Sequence, residues 1–229
     1  MGERVRIALP TDSAFDDLVT HIAQGGFDVG EVLDRTVRIS NPFDLGFDFE
    51  FVSLSSEDVC TYVERGVCNA GIVGTQTLRE TGVQVWRPFT FNFGSFPIVL
   101  AARHGQTWDR LNKGPILRLA TPFPRFTRDW FVNRGVSIDV VQVEEHAGMS
   151  VQLGLADAFV DQLTQPEKLV DANFRVVEVL DHTRLKLVVN NALGSKRRRA
   201  IGRWIDRLQE TLPPDPPPIT IPFDVDDPV

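Results

Sequence analysis

The sequence predicts an α/β protein folded in two lobes, and three observations lead there. Short apolar runs alternate with amphipathic segments along most of the chain, the pattern of a largely parallel sheet with crossover helices. At 229 residues the chain suits one large domain or two lobes and can bury a substantial core. Apolar runs that read as a return to the first lobe come late, after the second-lobe strands, so the chain crosses between lobes twice and leaves a hinged cleft. Residues 1–92 and 181–229 are expected to form the first lobe, and residues 93–180 the second.

In chain order, Arg4–Leu9, Phe47–Leu54, Ala70–Val73 and Val83–Pro88 read as strands of the first lobe. Ser55 followed by Asp58 opens a helix with a capping-box-like start, which should carry Val59, Tyr62 and Val63 inward and end at Gly66. Phe96–Ala102 and Ile116–Ala120 read as second-lobe strands. Thr127 is placed to cap a helix running through Phe131 to Asn133, closed by Gly135. Val136–Val143 and Ala156–Val160 supply further strands, and Val176–Leu180 and Leu185–Val189 lead back to the first lobe. Ile201, Trp204, Ile205 and Leu208 recur at helical spacing in a last helix over 195–212. Its Lys196-Arg-Arg-Arg199 opening reads as a solvated helix face, with a phosphate or RNA patch as the alternative. Pro213–Pro218 forms a polyproline II spacer before an acidic tail.

Composition narrows the function classes. A hydrophobic share of 42% and a charged share of 24% are those of a globular protein. The net charge of −7 argues against non-specific nucleic-acid binding, which needs a cationic face. Two cysteines, Cys60 and Cys68, are too few for a disulfide framework and read as reduced, partly buried thiols. The spacing of Cys and His offers no zinc motif. No secretory signal or membrane-spanning run is visible, so a cytoplasmic location is expected.

Several segments resemble the short form of ATP phosphoribosyltransferase, which opens histidine biosynthesis. They are Arg6-Ile-Ala-Leu-Pro10, Asp58-Val-Cys-Thr-Tyr-Val-Glu-Arg-Gly66, Gly71-Ile-Val-Gly74, Leu119-Ala-Thr-Pro-Phe-Pro124 with Thr127-Arg128, and Gly154-Leu-Ala-Asp-Ala-Phe-Val-Asp161. The resemblance spans about residues 5–190 and implies a two-lobed fold like that of type II periplasmic-binding proteins, with ligands in the interlobe cleft. It implies a homodimer, a histidyl-tRNA-synthetase-like regulatory subunit as partner, and Mg²⁺ if phosphoribosyl pyrophosphate is bound.

The family's contact residues are largely replaced. Thr11, Asp12 and Ser13 stand where the family has Lys-Gly-Arg, and Asn69 stands for an aspartate. Thr75 replaces a lysine, and Ser95-Phe96-Pro97 replaces a basic residue. Glu145-His-Ala-Gly148 stands for Gly-Ser-Val-Glu. Thr164-Gln-Pro-Glu-Lys168 occupies the place of the glycine-rich turn that would hold the 5-phosphate. Proline removes a backbone donor and glutamate adds the wrong charge, so the phosphate grip looks lost.

Candidate site residues follow from position and from this resemblance. By the resemblance, Asp161 would face ribose hydroxyls at a strand end, while Asp157 either joins it or caps the adjacent turn. Thr121, Thr127 and Arg128 form either a small anion site or a cap and a surface ion pair. Thr11, Asp12, Ser13 and Thr164 take the positions of family contacts. Phe89, Phe91 and Phe93 alternate on one face of an extended segment near Phe96; they either pack a core or interface, or Phe93 and Phe96 line the cleft for a flatter, less charged ligand. His146 is the candidate acid or base, with a solvated loop histidine as the alternative.

Three functions remain open: a retargeted small-molecule protein on this scaffold, an ATP phosphoribosyltransferase with divergent phosphate contacts, and a non-catalytic regulatory subunit.

Overall fold

A computed structural model describes residues 3–11, 15–34, 36–44, 46–114, 116–144, 146–211, 219 and 221–223. The chain divides into two units, Met1–Ser95 with Arg184–Pro216, and Phe96–Thr183 with Pro217–Val229. The first unit begins with β1 (Glu3–Pro10), α1 (Phe15–Gln24), β2 (Val37–Ile39), β3 (Phe47–Leu54), α2 (Ser56–Glu64), β4 (Ala70–Gly74), α3 (Thr75–Thr81) and β5 (Trp86–Thr90). The second holds β6 (Phe96–Arg103), α4 (Trp108–Leu111), β7 (Leu117–Thr121), α5 (Pro124–Val132), β8 (Ile138–Gln142), α6 (Ala147–Gln152), β9 (Ala158–Gln162), α7 (Pro166–Asp171) and β10 (Phe174–Thr183). The chain then returns to the first unit for β11 (Leu185–Val189) and α8 (Ser195–Glu210).

Both sheets are mixed, not largely parallel. In the first, ordered β2-β3-β1-β4-β11-β5, β1 runs parallel to β3 and β4, and the returning β11 runs antiparallel to β4 and β5. In the second, ordered β10-β6-β9-β7-β8, β7 runs parallel to β8 and β9, while β6 is antiparallel to β9 and β10. The strands that carry the chain into and out of each unit supply most of the antiparallel pairs, and β2 adds another by running antiparallel to β3.

Val5, Ile7, Ala8 and Leu9 of β1 are all fully buried, as expected for a central strand covered on both faces. Ser55 accepts the Asp58 N–H at 3.2 Å and starts α2, which buries Val59, Cys60 and Val63. Tyr62, expected inward, is 39% exposed, and Cys60 takes the inward place. A Cβ on Gly71 would lie 2.6 Å from Val59 Cγ1, so only glycine lets α2 sit this close to β4. On α8, Trp204 packs against Phe27, Phe49 and Phe51, with ring centroids 5.9–6.4 Å apart. Its basic opening is mostly exposed, and Arg197 Nε donates to the Arg4 carbonyl at 3.1 Å.

Several boundaries differ from expectation. The strand expected over Val83–Pro88 is Trp86–Thr90, and that expected over Ala156–Val160 is Ala158–Gln162. The helix expected to start at Thr127 starts at Pro124, whose fixed φ suits a first turn. The short helices α3, α4, α6 and α7 span too few turns to show periodicity. The tail, expected with the first lobe, has Ile219 and Ile221 packed in the second unit. Pro213–Pro218 lie outside the described residues. Cys60 and Cys68 are free and buried; burial pushes both thiols up, Cys68 to about 11. Among the described residues, no helix is long and apolar enough to cross a membrane.

Candidate functional site

Within the second unit, a cavity of about 460 Å³ opens around β9, between α6 and α7. Phe159 and Phe174, edge to face with centroids 5.1 Å apart, form part of its apolar lining. Gly148 lets α6 rest on these rings: a Cβ there would lie 3.2 Å from Phe174 Cε2 and 3.5 Å from Phe159 Cε1. His146, Gly148, Asp161 and Thr164 all line the cavity.

Asp161 is half-buried in the last part of β9, opposite Val99 of β6. Its carboxylate accepts the Gln162 N–H at 2.7 Å. Burial pushes its carboxyl up to about 6, against the pull of the Gln162 N–H and of His146. A carboxylate held in this way can accept hydroxyl hydrogen bonds, and near neutral pH it can also exchange a proton. His146 stands at the N-cap of α6 in the left-handed conformation, with φ 57° and ψ 44°. That region is uncommon for a non-glycine residue, and strained backbone of this kind clusters at functional sites.

The turn after β9 offers few phosphate donors. Thr164 is half-buried and Gln165 exposed. Pro166 then occupies the first turn of α7 with the exposed Glu167, and Lys168 brings one cation to the cavity lining. With no N–H at Pro166 and a carboxylate in the first turn, this helix start disfavours an anion.

Other sequence candidates lie elsewhere. Asp157 precedes β9, about 13 Å of strand away from Asp161. It is clamped by Arg118, whose Nη2 and Nε donate to the two carboxylate oxygens at 2.7 and 3.2 Å. The Arg118 N–H adds a bond at 3.0 Å, so Asp157 is an ion-paired anchor and not a partner of Asp161. Thr121 and Thr127 are fully buried and bond to each other at 3.3 Å, while exposed Arg128 lines a separate depression with Ile116 and Val132. These three form no shared anion site.

In the first unit, Thr11 is exposed and its N–H donates to the Leu54 carbonyl at 3.1 Å. Phe93 is 6% exposed and packs on His21 and Phe91, with centroids at 5.0 and 5.2 Å, so it serves the core. Phe96 is half-buried at the start of β6 in the second unit. Asn69 and Thr75 accept the N–H groups of Arg6 and Arg184 at 2.8 and 3.1 Å, tying β4 to its neighbours. Asp12, Ser13 and Glu145 lie outside the described residues.

The family model described as "HisG: ATP phosphoribosyltransferase" matches residues 55–210. This chain belongs to the ATP phosphoribosyltransferase family. It is 32% identical over 205 residues to an ATP phosphoribosyltransferase of Thermus thermophilus, covering 89% of this chain and 95% of that one. The corresponding protein of Deinococcus deserti is 29% identical over 214 residues, covering 93% and 95%. Matches over nearly the whole of both chains agree with the family's short form. Among solved structures, one described as an ATP phosphoribosyl transferase (HisG:HisZ) complex from Thermotoga maritima aligns with a TM-score of 0.72. It is 21% identical and covers 91% of this chain and 97% of that one. The ancestral amino-acid-binding protein AncCDT-1 aligns at 0.54 with 13% identity, over 90% and 88%, so the fold is of the periplasmic-binding-protein type.

Sequence reasoning did not name Gln152, Gln162, Lys168, Phe159 or Phe174 as site residues, although all line the cavity. Phe159 and Lys168 lie within the two segments the sequence marks most strongly, 154–161 and 164–168, and Gln152, Gln162 and Phe174 lie outside them. The antiparallel pairing of β10 with β6, which brings Phe174 toward β9, has no local sequence signal.

Proposed function

We propose that this family member binds a small hydroxyl-bearing molecule in the second-unit cavity, one with less phosphate charge than phosphoribosyl pyrophosphate. The observation that carries this is the pairing of Asp161 at the end of β9 with a following turn of Gln165, Pro166 and Glu167. A strand-end carboxylate suits the vicinal hydroxyls of a pentose, with Thr164 as a further hydroxyl partner. The turn beside it offers Lys168 as a cation but sets Glu167 against a 5-phosphate. His146, beside Asp161, is the candidate for proton exchange. Among the described residues no group of three or more His, Cys, Asp and Glu forms a metal site. If phosphoribosyl pyrophosphate is bound, Mg²⁺ would enter with it and be held largely by its oxygens.

A second function, transfer of phosphoribosyl to ATP, is favoured by the match over 95% of the Thermus thermophilus relative and by the retained Asp161. The fold shared with the HisG:HisZ complex supports testing a histidyl-tRNA-synthetase-like partner, and a homodimer is the expected state of the chain alone.

Calorimetric titration with adenosine, ribose, and phosphoribosyl pyrophosphate with Mg²⁺, alongside an assay for ATP-dependent turnover, separates these functions. Binding of adenosine or ribose at least about tenfold tighter than phosphoribosyl pyrophosphate supports the retargeted function. Micromolar phosphoribosyl pyrophosphate binding, worth about 8 kcal/mol, together with turnover, would establish the transferase instead.

A further inference from the structure

The family match ends at residue 210, yet the chain continues beyond α8, and its described tail residues belong to the second unit. There the tail meets β10, an edge strand whose other neighbour is β6. The Val176 N–H donates to the Pro222 carbonyl at 3.1 Å, and Phe223 forms a parallel bridge to Val176. Proline at an edge accepts a hydrogen bond without offering a donor of its own, which blocks further strand addition. Ile219 and Ile221 are half-buried against an apolar cluster that contains Val99, Ala147, Phe159, Leu163 and Phe174, on which Leu169 also packs. All six of these residues also line the 460 Å³ cavity. One apolar layer thus carries the tail and walls the cavity.

We infer that Ile219, Ile221 and Phe223 form an in-chain strap on β10, and that Ile219 and Ile221 are positioning residues for the cavity, acting through this shared layer. Apolar side chains packed to native density transmit displacement, because a void on one side of a ring removes contacts that fix it on the other. Without the strap, β10 regains an unpaired edge and Phe174 loses its support. The cavity walls on α6 and α7 then open more often. The ligand proposed above enters only in the binding arm of the test.

Hydrogen exchange on the full chain and on the I219S/I221S variant tests the strap without any ligand. The expected result is exchange about tenfold faster at Val176 and across α6 and α7, with α2 and β4 unchanged. If the double variant loosens everywhere, the milder Ile221→Ala chain decides, with about threefold faster exchange expected in α6 and α7 alone. Unchanged α6 and α7 amides in that chain would overturn the inference, as would a Val176 amide that already exchanges freely in the unaltered protein. Titration with adenosine adds a readout that a merely structural strap would not move: the affinity should fall about tenfold in I219S/I221S. If neither chain binds adenosine, the ligand proposal fails while the exchange result still judges the strap.

Discussion

Asp157, just before β9, and Asp161, near its far end, have opposite surroundings. Asp157 has a bidentate guanidinium and a backbone N–H, and the Arg118 hydrogen bond holds its carboxyl below the ordinary carboxylate range despite some burial. Asp161 has a backbone N–H and a nearby histidine, and burial lifts its carboxyl to about 6. The first carboxylate is satisfied and serves the fold. The second keeps hydrogen-bonding capacity facing a cavity, which costs stability and leaves it available to a ligand.

The largest expected effect comes from Asp161→Asn. At pH 7 it should raise stability by about 1–3 kcal/mol by removing a partly desolvated charge, and weaken binding of a pentose-bearing ligand about tenfold or more. Thermal unfolding and calorimetry on the same preparation check both, and a variant that loses stability breaks the contrast.

The pH dependence of stability should divide along the same line. A raised carboxyl favours the folded state while protonated, so the Asp161 contribution is present below about pH 4 and is lost as pH rises to about 6. Asp157 has the reverse sign: its contribution is present above about pH 4 and lost as pH falls through its lowered value. Urea unfolding from pH 3 to 7 should therefore show the upper slope vanish in Asp161→Asn and the lower slope shrink in Asp157→Asn.

A smaller effect is expected from Lys168→Met. If the ligand carries little phosphate, its affinity should change less than about threefold; a loss near a hundredfold would place an anion beside α7 after all. Smallest of all is Asp157→Asn, which should lower the melting temperature slightly, because its pair with Arg118 is well exposed, and leave ligand affinity unchanged.

The sequence made much of this arrangement legible. The Gly154–Asp161 segment announces a strand ending in carboxylates, and Thr164–Lys168 announces a turn poorly suited to phosphate. What separated Asp157 from Asp161 was not visible, because Arg118 lies 39 residues away in sequence and meets Asp157 only through the pairing of β7 with β9. Thr121 and Thr127 could be read as anion ligands or as caps, since a hydroxyl near a helix start has the same sequence whether it faces solvent or packs inward. The mixed sheets escaped notice for a similar reason. A buried antiparallel strand such as β6, apolar from Phe96 to Ala102, is as continuously apolar as a parallel one.

The most direct test is carbon NMR titration of the aspartate carboxyls with and without adenosine. Asp161 should titrate near 6 and Asp157 below the ordinary range of about 4, and adenosine should shift the Asp161 signal alone. Titration of both near 4, or an Asp157 signal that answers the ligand while Asp161 does not, would contradict the assignment of Asp161 as the ligand-facing carboxylate.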